Sequence, residues 1–198
     1  MTSTDTAPRP LMIDRFATPS DFTRTAHVLV DAPPPTVYRA VRELDLARVH
    51  HPVLDAAKWA RRLPLRLRDR RPRRHPTRLT IADLTAGTDW ILLGERPDTE
   101  VLFGAIGAFW KPVVELRKVD GRDFADFAEP GCGKVVCSIA VSPYGGRRSL
   151  LTYEMRIALD DPRSWLRFRR YWRVARPFLG LLERAVLRAV KDAAEHPV

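Results

Sequence analysis

Lys134-Val-Val-Cys-Ser-Ile-Ala-Val-Ser142, then Pro143-Tyr-Gly-Gly146, then Ser149-Leu-Leu-Thr-Tyr-Glu-Met-Arg-Ile-Ala-Leu159: this stretch decides the fold. Apolar residues recur at every second position in both runs, the period of a strand with one buried face. The glycines between the runs mark a hairpin turn. From about Asp161 to Ala194 the apolar spacing changes to three and four residues, the period of a helix. Such a helix is about 50 Å long at 1.5 Å per residue. It needs an equally long apolar surface, which a curved antiparallel sheet offers. A sheet curled around a helix leaves a space of the kind that holds small apolar molecules.

Working back toward the N-terminus, Thr23 to Asp31 predicts a first strand, with Ala26, Val28 and Val30 on one face and Thr25, His27 and Leu29 on the other. Asp31-Ala-Pro-Pro-Pro35 ends it, because proline cannot donate to a ladder. Proline also suits a helix start, so Val37 to Val41 continues as a short helix. A second helix is expected from about Pro52 to Arg62, then strands at Leu79–Leu84, Asp89–Arg96, Glu100–Trp110 and Val113–Val119, and a helical turn at Asp123–Glu129. Residues 1–20 read as a flexible tail rich in Thr, Ser and Pro, with Leu11, Ile13 and Phe16 as its anchors. The expected organisation is that tail followed by a single α+β domain over residues 21–195.

The 198 residues suit one domain, and 45% hydrophobic content suffices for a core. No apolar run approaches the roughly 20 residues of a membrane-spanning helix. The first ten residues lack the basic start and apolar centre of a secretory signal, so a cytoplasmic location is expected. Cys132 and Cys137, spaced C-x4-C with no adjacent histidine, read as two reduced structural thiols. The net charge of +10 is concentrated. Ten basic residues fall between Lys58 and Arg78 against Asp69 alone, leaving 24 basic and 23 acidic residues elsewhere. Pro64, Pro72 and Pro76 argue against a long helix there, and an extended basic insertion over residues 61–78 is expected. Its arginines (Arg61, Arg62, Arg66, Arg68, Arg70, Arg71, Arg73 and Arg74) suit an anionic surface: a membrane, an acidic partner or, with less support, nucleic acid. Nucleic acid is the weaker match because no aromatic residue between Trp59 and Trp90 is available to stack on bases.

Three stretches carry a family resemblance. His27-Val-Leu-Val-Asp-Ala-Pro-Pro-Pro-Thr-Val-Tyr-Arg-Ala-Val41, Leu151-Thr-Tyr-Glu-Met-Arg156 and Phe168-Arg-Arg-Tyr-Trp172 through Glu195 resemble the first strand and helix, the last strand and the gripping helix of the START-like or Bet v 1-like (SRPBCC, polyketide cyclase-like) superfamily. Bacterial members without an assigned activity are the nearest likeness. The resemblance spans residues 20 to 195 and implies a helix-grip fold, a curved antiparallel sheet wrapped around a long C-terminal helix. The basic insertion departs from the commoner pattern, in which the second helix leads into the sheet by a shorter connection.

No G-x-S-x-G elbow, H-E-x-x-H pair, dinucleotide fingerprint or phosphate loop is present, and no cofactor or metal is expected. The candidate ligand-lining residues are Phe103, Trp110, Tyr153, Met155, Phe168 and Trp172. His50 and His51 are candidate polar groups at the cavity mouth, since histidine titrates near neutral pH. Glu154 and Arg156 share one face of the last strand. They form either an ion pair on a solvated face or a polar clamp in the pocket, where Arg156 would hold a carboxylate or enolate. The leading expectation is a binding module for a hydrophobic molecule that is lipid-like, isoprenoid or aromatic. The alternatives are an enzyme of the polyketide cyclase or aromatase kind, and an interaction protein acting through the arginine-rich segment.

Overall fold

The computed structural model describes residues 12–45, 80–87 and 89–196. The expected helix over 52–62 and the basic insertion over 61–78 lie outside the described residues. The chain is α+β. A 3-10 turn, Met12–Arg15, precedes β1 (Phe22–Val30) and α1 (Pro34–Glu43). Then come α2 (Ile81–Gly87), β2 (Ile91–Arg96), β3 (Glu100–Gly107), β4 (Leu116–Arg117), β5 (Gly133–Tyr144), β6 (Arg148–Leu159) and α3 (Pro162–Glu195). The six-stranded sheet has the order β1-β6-β5-β3-β2, with β4 on β3, and every pairing is antiparallel.

The decisive hairpin forms as the alternation requires, with Tyr144 paired to Arg148 across Gly145-Gly146-Arg147. Gly145 and Gly146 both have positive φ, 52° and 65°, which side-chain-bearing residues adopt at a cost. The helix expected over 161–194 is α3, 34 residues long and unbroken through Pro177. Asp161 caps it by accepting from the Ser164 backbone N–H. Pro33 caps α1, and Pro34 and Pro35 occupy its first turn, where no N–H is needed.

Register assigns the two sheet faces. Phe22, Ala26 and Val28 of β1 lie in line with Leu151, Tyr153 and Ile157 of β6 and with Val135, Ile139 and Val141 of β5. This inner face carries α1 and α3, and together they form the main core. Every residue of β3 is buried, so its apolar run alone does not reveal its faces. Val101 and Phe103 belong to the main core, whereas Leu102 and Ile106 belong to a second core on the outer face.

That second core revises the expected N-terminal tail. From Met12 onward the segment covers the outer face, with Ile13 fully buried beside Phe124, Leu102 and Val136. Polar contacts pin it: the Met12 N–H donates to buried Glu100, and Arg156 donates to Asp14 and Thr18. Of the expected anchors, Ile13 and Phe16 are in this cluster, and Leu11 lies outside the described residues.

The expected strand at Leu79–Leu84 is corrected. Residues 81–87 are helical, with Thr80 and Asp83 forming a reciprocal cap. The Thr80 N–H donates to Asp83 Oδ2 at 2.9 Å, and the Asp83 N–H to Thr80 Oγ1 at 3.2 Å. This is the Thr-x-x-acid box of a helix start, and it outweighs the strand preference of Thr80 and Ile81. The strand expected over 113–119 shrinks to the two residues of β4.

Candidate functional site

Two rows of side chains cross the inner face. The first runs Phe103, Cys137, Met155, Arg24 through β3, β5, β6 and β1; the second runs Val101, Ile139, Tyr153, Ala26. Neighbouring strands are about 4.8 Å apart, so each row spans about 14 Å. α3 lies over the β1 and β6 end.

Arg24 is the one charged residue in these rows, and α3 answers it. Arg24 Nε donates to Glu183 Oε1 at 2.6 Å, and Arg24 Nη2 donates to Glu183 Oε2 at 2.8 Å. The pair is bidentate, the geometry that makes an arginine–carboxylate contact strong and directional. Glu183 is only 3% exposed. Its hydrogen bond to Arg24 raises the guanidinium pKa above the ordinary arginine value, against the lowering effect of burial. Gly180 makes the approach feasible: a Cβ there would sit 2.7 Å from Arg24 Nη2. Two of the five guanidinium N–H groups serve Glu183, and no other acceptor for Arg24 occurs among the described residues.

Tyr153 completes the centre. Its hydroxyl donates diagonally across the sheet to Cys137 Sγ at 3.3 Å. Burial pushes the phenol well above its usual value near 10, with nearby Cys137 and Glu183 adding to the shift. Burial also pushes the Cys137 thiol up to about 12. Both groups are therefore neutral at physiological pH: one hydroxyl donor and one unreactive thiol. Tyr153 packs against the main core on the inner face, and part of its surface remains uncovered.

The candidate lining residues divide into two groups. Phe103, Tyr153 and Met155 share the rows with Arg24. Trp110, Phe168 and Trp172 pack together nearer the start of α3. There Phe168 stacks with Phe22 (5.0 Å between ring centroids) and Trp172 (5.6 Å), and meets Trp110 edge to face (6.2 Å). These are ordinary aromatic packing contacts, as is that of Phe103 with Trp90 at 5.7 Å.

Arg156 lies on the outer face. It donates to Glu154 at 2.6 Å and to Asp14 at 2.7 Å, beneath the N-terminal segment. It therefore makes no polar contribution between sheet and helix, and that position belongs to Arg24. Strand alternation is the cause: Tyr153 and Met155 point inward, so Glu154 and Arg156, each one position on, both point outward. His27 bonds Thr152 on the same outer face, as its place in the alternation predicts. His50, His51 and the arginines from Arg61 to Arg74 lie outside the described residues.

Sequence reasoning misses the Arg24–Glu183 pair although both signals are present. Arg24 has the same parity as Ala26, Val28 and Val30, so a charge falls on an apolar face. Glu183 sits four residues after Leu179 and is the first acid of α3.

Outside this centre, the described residues line an open groove of about 730 Å³ at the β2 edge, between Trp90, Leu92, Val119 and Phe127. Among the described residues no cluster of His, Cys, Asp and Glu could hold a metal ion, and no helix is long and apolar enough to cross a membrane.

No protein-family model matches the chain, and no curated protein matches it. Two solved structures show a distant likeness. Protein CV1439 from Chromobacterium violaceum is 16% identical with a TM-score of 0.36, over 88% of this chain and 97% of that one. TTHA0849 from Thermus thermophilus is 12% identical with a TM-score of 0.30, over 87% of this chain and 97% of that one.

Proposed function

We propose that this chain is a helix-grip domain of the START-like kind that binds a small hydrophobic molecule bearing one polar end, between the inner sheet face and α3. The observation that carries the reading is Tyr153, on the inner sheet face against the main core, with part of its surface uncovered. Side-chain surface left uncovered on a sheet face that a helix spans is where such a ligand would lie. Around Tyr153 stand Met155, Phe103, Ala26 and Ile139, an apolar wall. The N–H groups of Arg24 not used by Glu183 are suited to a carbonyl or carboxylate at one end of the ligand, and the Tyr153 hydroxyl joins them if its one proton turns from the weak acceptor Cys137 Sγ.

The same polar centre favours a second reading, a cyclase-like enzyme, because Arg24 and Tyr153 stand in adjacent rows of an otherwise apolar sheet face. Tyr153 would then supply a proton donor and Arg24 the charge that stabilises an enolate.

Native mass spectrometry of the purified protein, followed by organic extraction, tests the binding reading. A co-purifying apolar molecule is expected, displaced in an Ala26→Phe variant that fills the space beside Tyr153. A clean apo mass, with no thermal response to fatty acids, isoprenoids or polycyclic aromatics, would overturn it.

A further inference from the structure

The outward face of α3 has a composition that its packing does not explain. From Pro162 to Leu182 there is no acidic residue, and Arg163, Arg167, Arg169, Arg170, Arg173 and Arg176 are all exposed. Arg169 lies over the Trp165 ring at 5.3 Å. The other five have no ion-pair or hydrogen-bond partner among the described residues. Several stand three or four positions apart, so like charges face one another along the helix. Arg163 also lies in the first turn, where the positive end of the helix dipole opposes a cation. The first acid, Glu183, is buried and committed to Arg24. The folded protein alone therefore holds this charge at a cost.

Two apolar side chains lie within the strip. Leu166 is 53% exposed and Val174 is 67% exposed. They sit four residues before and four after Arg170, one turn to either side on the same face. We propose that this face of α3 docks on an anionic lipid surface, with the arginines at the headgroups and Leu166 and Val174 at the acyl boundary. Peripheral binding of this kind combines basic attraction with shallow apolar burial. Nucleic acid would use the arginines but leave Leu166 and Val174 without a role. The nearest aromatic, Trp165, packs on Phe22 at 6.0 Å and beneath Arg169, so it is not presented for base stacking.

Flotation of the full chain with phosphatidylcholine vesicles, with and without phosphatidylglycerol, tests the proposal. Binding is expected only to the phosphatidylglycerol vesicles and to weaken as salt rises. The triple variant Arg167→Gln/Arg170→Gln/Arg173→Gln should partition about 100-fold less. The variant Leu166→Asn/Val174→Asn, with its charge intact, should lose about tenfold. Arg184→Gln/Arg188→Gln, farther along the same helix, should bind as the parent does. All these positions are exposed, and an unchanged melting temperature verifies that each variant folds. Undiminished vesicle binding by the triple variant would overturn the proposal and place the contact elsewhere, in the 61–78 segment first. Duplex DNA that competes fully with vesicles, combined with no effect of Leu166→Asn/Val174→Asn, would overturn it in favour of nucleic acid.

Discussion

Glu183→Gln isolates the energetics of the polar centre. The change keeps the side chain's shape and removes its charge. Arg24 then keeps a positive charge in a site where its side chain is only 19% exposed and the partner position is 3% exposed. Breaking a buried pair from one side costs about 3–5 kcal/mol, because the remaining charge is left uncompensated. Arg24 retains some access to water, so the low end applies, about 3 kcal/mol. For a chain of this size that corresponds to a fall of about 10 °C in Tm. Arg24→Met should cost about as much, since it leaves the carboxylate without its partner. The double variant Arg24→Met/Glu183→Leu should return to within about 1 kcal/mol of the parent, because apolar residues of similar volume replace a buried pair at little net cost. Urea unfolding followed by tryptophan fluorescence measures these proteins together with Glu183→Leu, which with the parent, Arg24→Met and the double variant closes a double-mutant cycle. A loss below about 0.5 kcal/mol for Glu183→Gln would refute the reasoning. So would a double variant whose loss equals the sum of the singles.

Gly180→Ala should destabilise despite alanine's better helix propensity, since its Cβ would displace a guanidinium held at both ends by Glu183. In an Arg24→Met background the same substitution should instead stabilise, by about 1 kcal/mol, as in an ordinary helix interior. The sign change in urea unfolding is the readout, and equal effects in both backgrounds would refute the contact. Hydrogen bonds from the Ser164 side chain and from the backbone N–H groups of Gly131 and Ser164 hold the Asp161 carboxyl at about 2, below the usual 3.8. A depressed native pKa gives stability that is present above the unfolded value and lost as pH falls through the native one. Asp161→Ala should therefore cost about 1 kcal/mol at pH 7. The gap to the parent should close between about pH 4 and pH 2, and a gap independent of pH would count against the cap.

The hairpin and α3 are legible in the sequence because their signals are local: alternation, a glycine pair and a run with helical spacing. β1, its proline break and α1 are legible for the same reason. α2 reads wrongly as a strand because two β-branched residues at its start, Thr80 and Ile81, draw attention from the Thr80–Asp83 box. The pairing geometry of that box shows it to be the stronger signal.

The candidate site is legible only in its apolar part. Tyr153 and Met155 are placed on strand β6 by its alternation, whereas both faces of β3 are apolar and parity alone does not place Phe103. Trp110, Phe168 and Trp172 are equally apolar and equally large, and the structure sets Phe168 in ring contact with both of the others.

The sequence by itself determined the order of most elements, the inward face of β6 and the cationic outer strip of α3, because each depends on spacing within one segment. The tertiary structure alone decided three things. It gave the two faces of β3 different partners, brought Arg24 within reach of Glu183 from 159 residues away, and set Ile13 and Phe124 together on the outer face. The reason is that hydrogen-bonding reach is a few ångströms in space and has no counterpart along the chain. Which buried charge meets which partner is fixed by strand order and helix placement, after local preferences have been satisfied.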